Sequence, residues 1–201
     1  MSHSRFIALV GGSGSGKSWL AAQLLAGLGP EVGLLSLDDF YHDLGHLPAA
    51  AREEVNFDDP AAIDWNTLRE VLEGLEGGTA AQLPIYDFAT HTRQAETRYF
   101  ATARVIVLDG LWLLHHAWLR EKIAFSVFVD CPEEERMRRR IERDVLTRGR
   151  TVASVMRQFA NQVQPMHARF VEPQRQWATR RVHSPLSETE HAELLAACLA
   201  S

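Results

Sequence analysis

Little in this chain of 201 residues could build a disulfide framework or hold a structural zinc ion. Cys131 and Cys198 stand far apart and form no CxxC pair. A reducing, cytoplasmic setting is therefore expected. No apolar run approaches the ~18 residues needed to cross a bilayer. The opening Met1-Ser2-His3-Ser4-Arg5 leads into a short apolar stretch that glycines interrupt. It lacks the apolar segment and cleavage site of a signal peptide, so no membrane partner is expected. Positive charge is not in excess either. With 21 Lys and Arg against 26 Asp and Glu, the formal net charge is −5. No general basic field would hold nucleic acid, which is not expected as a partner. Internal repeats and low-complexity tracts are also missing. What remains is ordinary for a soluble globular protein, 46% hydrophobic and 23% charged. The length suits one domain, residues 1–201, with a sizeable core.

Apolar, β-prone runs occur at Phe6 to Val10, Val32 to Leu37, Arg104 to Leu108 and Phe125 to Val129. Helical spacing of leucines follows the first run and ends at Gly29-Pro30. A second amphipathic helix runs through Ile63, Leu68, Val71, Leu72 and Leu75 to Gly77-Gly78, and Leu111 to Lys122 predicts a short one. Pro132 opens a long helix with Glu133, Glu134 and Glu135 in its first turn and arginines behind them, an order that complements the helix dipole. Thr151 to Trp177 reads as helix bent or broken at Pro165 and Pro173. Ser187-x-x-Glu190 predicts a capping box before a last helix through Leu194, Leu195 and Leu199. Alternating strands and helices predict an α/β fold, a parallel sheet flanked by helices on both faces. Segments 40–62 and 78–100 break that alternation and are candidates for a small substrate-binding insertion at the carboxyl edge of the sheet.

Gly11-Gly12-Ser13-Gly14-Ser15-Gly16-Lys17-Ser18 matches G-x-x-x-x-G-K-[ST] between a predicted strand and a predicted helix. Glycines let consecutive main-chain N–H groups turn inward around phosphates, and the helix adds its positive end. Lys17 supplies a point charge for the β- and γ-phosphates, and the Ser18 hydroxyl suits Mg²⁺. The pattern predicts the P-loop NTPase fold and a nucleoside triphosphate, ATP or GTP. It does not say where the phosphate goes.

Phosphoryl transfer also needs a carboxylate near the metal and a group to orient the attacking hydroxyl. Asp109 follows the strand at Arg104 to Leu108 and precedes Gly110, the place of a metal-side aspartate, although Asp-Gly is also a common turn pair. Asp38 and Asp39 end the second strand. Either could serve as base, and residue type alone does not choose between them. Asp130 reads better as a helix cap. Seven arginines, Arg136, Arg138, Arg139, Arg140, Arg143, Arg148 and Arg150, crowd fifteen positions. Such a run can be a solvated face or a nucleic-acid patch, but beside a phosphate loop it also fits an Arg-rich lid over about 136–160, jointed at Gly149. Asn56 to Pro60 and Pro84 to Arg93 combine aromatics with hydrogen-bonding groups. They suit either a pocket for a flat base or ordinary core.

Taken together, GGSGSGKS, SLDDFY at Ser36 to Tyr41, NFDDP at Asn56 to Pro60, PIYDFATHTR at Pro84 to Arg93, VIVLDG at Val105 to Gly110, FVD at Phe128 to Asp130 and RDVLTRGR at Arg143 to Arg150 resemble the uridine kinase (uridine-cytidine kinase) family. The match extends to about Ser184. It implies phosphorylation of uridine or cytidine with ATP and Mg²⁺, and a homo-oligomer, a tetramer. By the resemblance Asp38 activates the 5′-hydroxyl and, with Ser18 and Asp109, stands at the metal. Asp58 holds the ribose hydroxyls. Tyr86 and His91 bond the base edge and Phe88 packs on the base. Arg140, Arg150 and Gln158 reach the nucleoside, while Arg143 and Arg148 meet the phosphates. Asp109 departs from the glutamate usual at its position, and the spacer from Tyr41 to Asn56 is short.

Overall fold

A computed structural model describes residues 4–29 and 31–200, with the main chain alone for Arg148 and Leu199. Five parallel strands form its centre: β1 (Arg5–Val10), β2 (Val32–Ser36), β5 (Val105–Gly110), β6 (Ile123–Asp130) and β7 (Arg180–His183). Their spatial order is β2-β5-β1-β6-β7. β3 (Ala81–Asp87) and β4 (Thr92–Phe100) form a separate antiparallel hairpin.

Residues along a strand alternate between the two faces of the sheet, and here both faces are apolar. From β1, Phe6, Ala8 and Val10 join a core that includes Leu68, Leu72, Leu83 and Trp112. Ile7 and Leu9 join the opposite core with Leu20, Leu24 and Leu194. The first core lies under α3 (Trp65–Glu76) and the hairpin, the second under α1 (Lys17–Leu28) and α8 (Glu188–Ala200). Leu68, Leu72 and Leu75 are wholly buried on α3. At roughly 2 kcal/mol per buried leucine, that stripe alone holds the helix to the sheet. Asp64 starts α3 by accepting the Thr67 N–H at 3.1 Å.

The remaining elements are α2 (Ala49–Glu53), α4 (Ala117–Lys122), α5 (Glu133–Arg148), α6 (Val152–Gln158) and α7 (Gln164–Met166). The predicted helix from Leu111 is confined to α4, because residues 111–116 turn instead. Segment 78–100 is the hairpin, and β7 is a strand that the apolar pattern does not announce. Its burial is confined to Val182. Thr151 to Trp177 stays helical past both prolines. Wide π turns at Phe159–Val163 and His167–Val171 flank α7, so Pro165 costs no regular hydrogen bond. The capping box forms: the Glu190 carboxylate accepts the Ser187 N–H at 2.9 Å, and the Glu190 N–H reaches the Ser187 hydroxyl at 3.3 Å. Asp130 does not cap α5. Pro132 occupies the cap position, and Asp130, still in the strand, pairs with Arg175 and lies 3.6 Å from His183 Nδ1. Glu133, Glu134 and Glu135 already supply the negative charge that the helix start favours.

Candidate active site

The phosphate loop joins β1 to α1, in the crevice where β1 separates β5 from β6. Gly14 has φ +80°, and a Cβ there would stand 2.4 Å from the Arg136 carbonyl of α5. Glycine is required twice over, for its backbone conformation and for the close approach of the helix. Lys17 is buried and donates to the Gly12 carbonyl at 3.1 Å. Burial lowers its pKa, with Asp109 and Asp38 opposing the shift and Arg143 and Arg136 adding to it. The Ser18 hydroxyl donates to Asp109 Oδ2 at 2.7 Å.

The adjacent aspartates part company on one turn. Leu37–Phe40 forms a 3-10 helix in which the Ser36 hydroxyl accepts the Asp38 N–H at 3.3 Å. Asp38 lines the cleft, whereas Asp39 turns to the hairpin and pairs with Arg98 at 3.0 Å. Burial and then the charge of Asp109 push the Asp38 carboxyl up to about 6, against the pull of Lys17. A carboxylate poised there accepts a proton readily near neutral pH.

One cavity of about 1100 Å³ runs from the phosphate loop past Asp38 and Asp109 to Phe57, Asp58, Phe88 and His91, with Arg140, Arg143, Arg150 and Gln158 on its other side. His91 stacks on Phe57 at 4.4 Å and 18°. With φ +55° it is the one non-glycine residue of positive φ among the described residues, the kind of strain that clusters at ligand sites. Arg93 secures this corner, donating to the Tyr41 and Phe40 carbonyls at 2.8 and 3.2 Å and to Asp64 at 3.1 Å. Tyr86 lies one layer back. Tyr41 and Phe88 pack against its ring at 5.3 Å, burial raises its pKa to about 12, and its buried hydroxyl has no hydrogen-bond partner. The structure thus brings His91, Phe88 and Asp58 to the cavity wall and places Tyr86 behind it.

The arginine helix is not a uniform solvated face. Arg138 is exposed and spends its charge on Glu135 and Glu142. Arg136 is buried against the phosphate loop and donates to the Cys131 carbonyl at 3.2 Å. Arg139 reaches the Gly14 and Ser15 carbonyls at 3.5 and 3.4 Å and the Ser184 hydroxyl at 2.9 Å. Arg140, also buried, donates to the Ser13 hydroxyl at 2.9 Å and to Gln158 Oε1 at 3.0 Å and stands 3.8 Å from Asp58. Gln158 Oε1 also accepts from Arg150. Gln158 therefore faces the arginines that share its site. The Arg148 side chain lies outside the described residues.

The model of the phosphoribulokinase / uridine kinase family matches residues 6–185. The chain belongs to that family. Its relatives include the uridine kinase of Yersinia pestis (strain Pestoides F), 40% identical over 177 residues that cover 86% of this chain and 83% of the relative. Among solved structures, D-glycerate 3-kinase from Cryptococcus neoformans has a TM-score of 0.66 at 18% identity, covering 91% of this chain and 87% of that one. Phosphoribulokinase from Rhodobacter spheroides has a TM-score of 0.64 at 13% identity, covering 95% and 74%. At these identities the two structures speak for the shared P-loop fold of the family.

The family implies ATP as phosphoryl donor and, with it, Mg²⁺. The residues present fit that ion. Ser18 and Asp109 touch, Asp109 Oδ1 is buried without a hydrogen-bond partner, and Asp38 adds a second carboxylate. Among the described residues no group of three His, Cys, Asp or Glu could hold a metal by itself. That suits an ion that arrives with phosphate and water ligands of its own. Two features escaped the sequence reading. Trp19, Arg139 and Pro185 line a second cavity of about 340 Å³ beside Gly16, which no linear motif unites. Asp144 is wholly buried among the arginines of the cleft. Its spacing of four residues from Arg140 was the available signal, and it reads equally well as surface pairing.

Proposed function

We propose that this chain transfers the γ-phosphoryl group of ATP to the 5′-hydroxyl of a pyrimidine nucleoside, uridine or cytidine, giving the monophosphate and ADP. One observation carries the reading: a single cavity joins the phosphate loop, the carboxylates of Asp38 and Asp58, and an aromatic wall of Phe57, Phe88 and His91. Its volume, about 1100 Å³, exceeds what one drug-sized ligand requires and accommodates two substrates end to end. A sugar phosphate without a base would have no use for that wall.

In this reading Lys17 leaves the Gly12 carbonyl for the phosphates, and the loop amides hold the polyphosphate. Asp58 accepts hydrogen bonds from the ribose diol. Phe57, Phe88 and His91 face the base. The 5′-oxygen attacks the γ-phosphorus in line while Asp38 takes its proton, and the bond from phosphorus to the β–γ bridging oxygen breaks, its electron pair leaving with ADP. Ser18, Asp109 and Asp38 would hold Mg²⁺, which when bound would neutralise charge on the phosphate oxygens. Arg140, Arg143 and Arg150 supply more from the lid side, so catalysis is chiefly positioning and electrostatics. The cavity of Trp19, Arg139 and Pro185 takes the donor's base. The hairpin forms the wall of the acceptor site, and residues from about 136 to 160 form the lid.

The test is ADP release measured across uridine, cytidine, ribulose 5-phosphate and pantothenate. Release that depends on uridine or cytidine is expected. Dependence on ribulose 5-phosphate, or indifference to every acceptor, would overturn the reading.

A further inference from the structure

Three arginines of the cleft share one counter-ion. Asp144, on α5, is 0% exposed, and its carboxylate lies 2.8 Å from Arg143 Nε, 3.5 Å from Arg140 Nε and 3.9 Å from Arg150 Nη1. Arg140 is one helical turn upstream on the same side of the helix. Arg150 is brought back by the chain reversal at Gly149, where φ is +62° and the N–H groups of Gly149 and Arg150 both bond the Asp144 carbonyl. Main chain and side chain of one residue thus fix both the end of α5 and the residue beyond it.

A buried carboxylate is tolerated only when paired. Here Asp144 faces three guanidinium groups and Asp58 stands 3.8 Å from one of them, Arg140, so among these described residues positive charge still exceeds negative. The surplus has a direction: Arg140, Arg143 and Arg150 line the cavity, and Asp144 does not. Without Asp144 the three guanidinium groups would repel one another and turn toward solvent. We propose that Asp144 is a positioning residue, holding Arg140, Arg143 and Arg150 as one rigid unit aimed at the phosphoryl group in flight. This rests on the kinase reading given above, because the unit acts on the charge that develops during transfer.

A double-mutant cycle in the full chain tests it, with kcat and KM for uridine or cytidine, ATP affinity and thermal melting measured for wild type, Asp144→Asn, Arg143→Ala and the pair. Asp144→Asn should lower kcat about 10²-fold, the scale expected when reacting groups are misplaced by an ångström. KM for the nucleoside should stay within about threefold, and in the Arg143→Ala background the same change should cost much less than on its own, since contacting residues couple. Wild-type kcat in Asp144→Asn, or effects on kcat that simply multiply, would overturn the proposal. If Asp144→Asn does not fold, Asp144→Glu replaces it, keeping the charge but moving the carboxylate by one methylene. Reduced kcat at unchanged melting temperature supports the proposal, and unchanged kcat overturns it. A wild-type chain with no nucleoside-dependent turnover would instead remove the functional reading, and the positioning role with it.

Discussion

The two halves of the cleft are built in different ways. The donor half is main chain, eight consecutive residues from Gly11 to Ser18 whose conformation depends on local glycine chemistry. The acceptor half is side chain, gathered from a 3-10 turn, an Asn56-to-Pro60 loop, a hairpin tip and, far along the chain, Arg140 of α5, Arg150 of the turn after it and Gln158 of α6. In the first, a Cβ at Gly11, Gly12 or Gly14 would meet neighbouring atoms within 3 Å, so its shape is set position by position and α5 only braces it. The second needs Arg93, Asp144 and the rest of the fold to keep its members in place. Changes in the donor half should therefore act on ATP, and changes in the acceptor half on the nucleoside or on turnover, with little crossover.

The largest expected effect lies at the boundary between the halves. Asp38→Asn should lower kcat by about 10³-fold, within the range of lost general bases, while ATP affinity measured by equilibrium titration stays near wild type. Near-normal kcat would show that another group takes the proton. Gly14→Ala should come next. Its Cβ would collide with the Arg136 carbonyl, so ATP affinity should fall by about 10²-fold, the cost of several loosened phosphate contacts. Unchanged ATP affinity would break the view that the donor half is a fixed main-chain cradle. His91→Ala should raise KM for uridine and cytidine by roughly tenfold, one hydrogen bond or stacking contact, and leave KM for ATP alone. Equal effects on both substrates would erase the distinction.

A smaller effect concerns pH. Asp38 is raised from 3.8 to about 6, so activity in kcat/KM should fall as pH drops through about 6 and the base becomes protonated. Asp109→Asn removes the neighbouring negative charge and should move that limb to lower pH, though burial keeps it above the ordinary range. The sign for stability is the reverse. The folded chain binds the proton more tightly than the unfolded one, so this group's contribution declines as pH rises from 3.8 to about 6. Asp38→Asn should flatten that decline in melts run without metal. A limb that Asp109→Asn does not shift would place the titrating group elsewhere. The smallest effect belongs to Arg138→Ala. Its pairs with Glu135 and Glu142 are exposed and screened by solvent, so chemical denaturation should show a barely measurable change, with kcat unchanged.

Much of the fold was legible because its signals are local. The apolar runs became β1, β2, β5 and β6, and the leucine periodicities became α1 and α3. β7 was not, because its only buried side chain is Val182 and what makes it a strand is its pairing with β6. Asp130 was misread for a related reason. Its partner Arg175 lies 45 residues downstream, and proximity in sequence to Pro132 suggested a cap that the helix did not need. Tyr86 shares the hairpin of Phe88 and His91, but Tyr41, 45 residues upstream, packs against it and keeps it behind the wall. Residue type left the arginine run open between a solvated face and a lid, and it took the packing of α5 on the phosphate loop and Gln158 to show that Arg136 and Arg140 are buried there.

What the sequence by itself determined is whatever rests on contiguous residues: the phosphate loop, the strands on either side of the sheet's midline, the order of charges along α5. Main-chain geometry and period are properties of neighbours along the chain, so they can be read there. Residue type left open which of Asp38 and Asp39 enters the cleft and which arginines face it; the resemblance pointed to Asp38, Arg140, Arg143 and Arg150, and only the tertiary structure shows what sets them there and that Asp144 binds three of them together. Those outcomes depend on burial and on charges meeting across the fold, where desolvation makes a short distance count for far more than the identity of the residue.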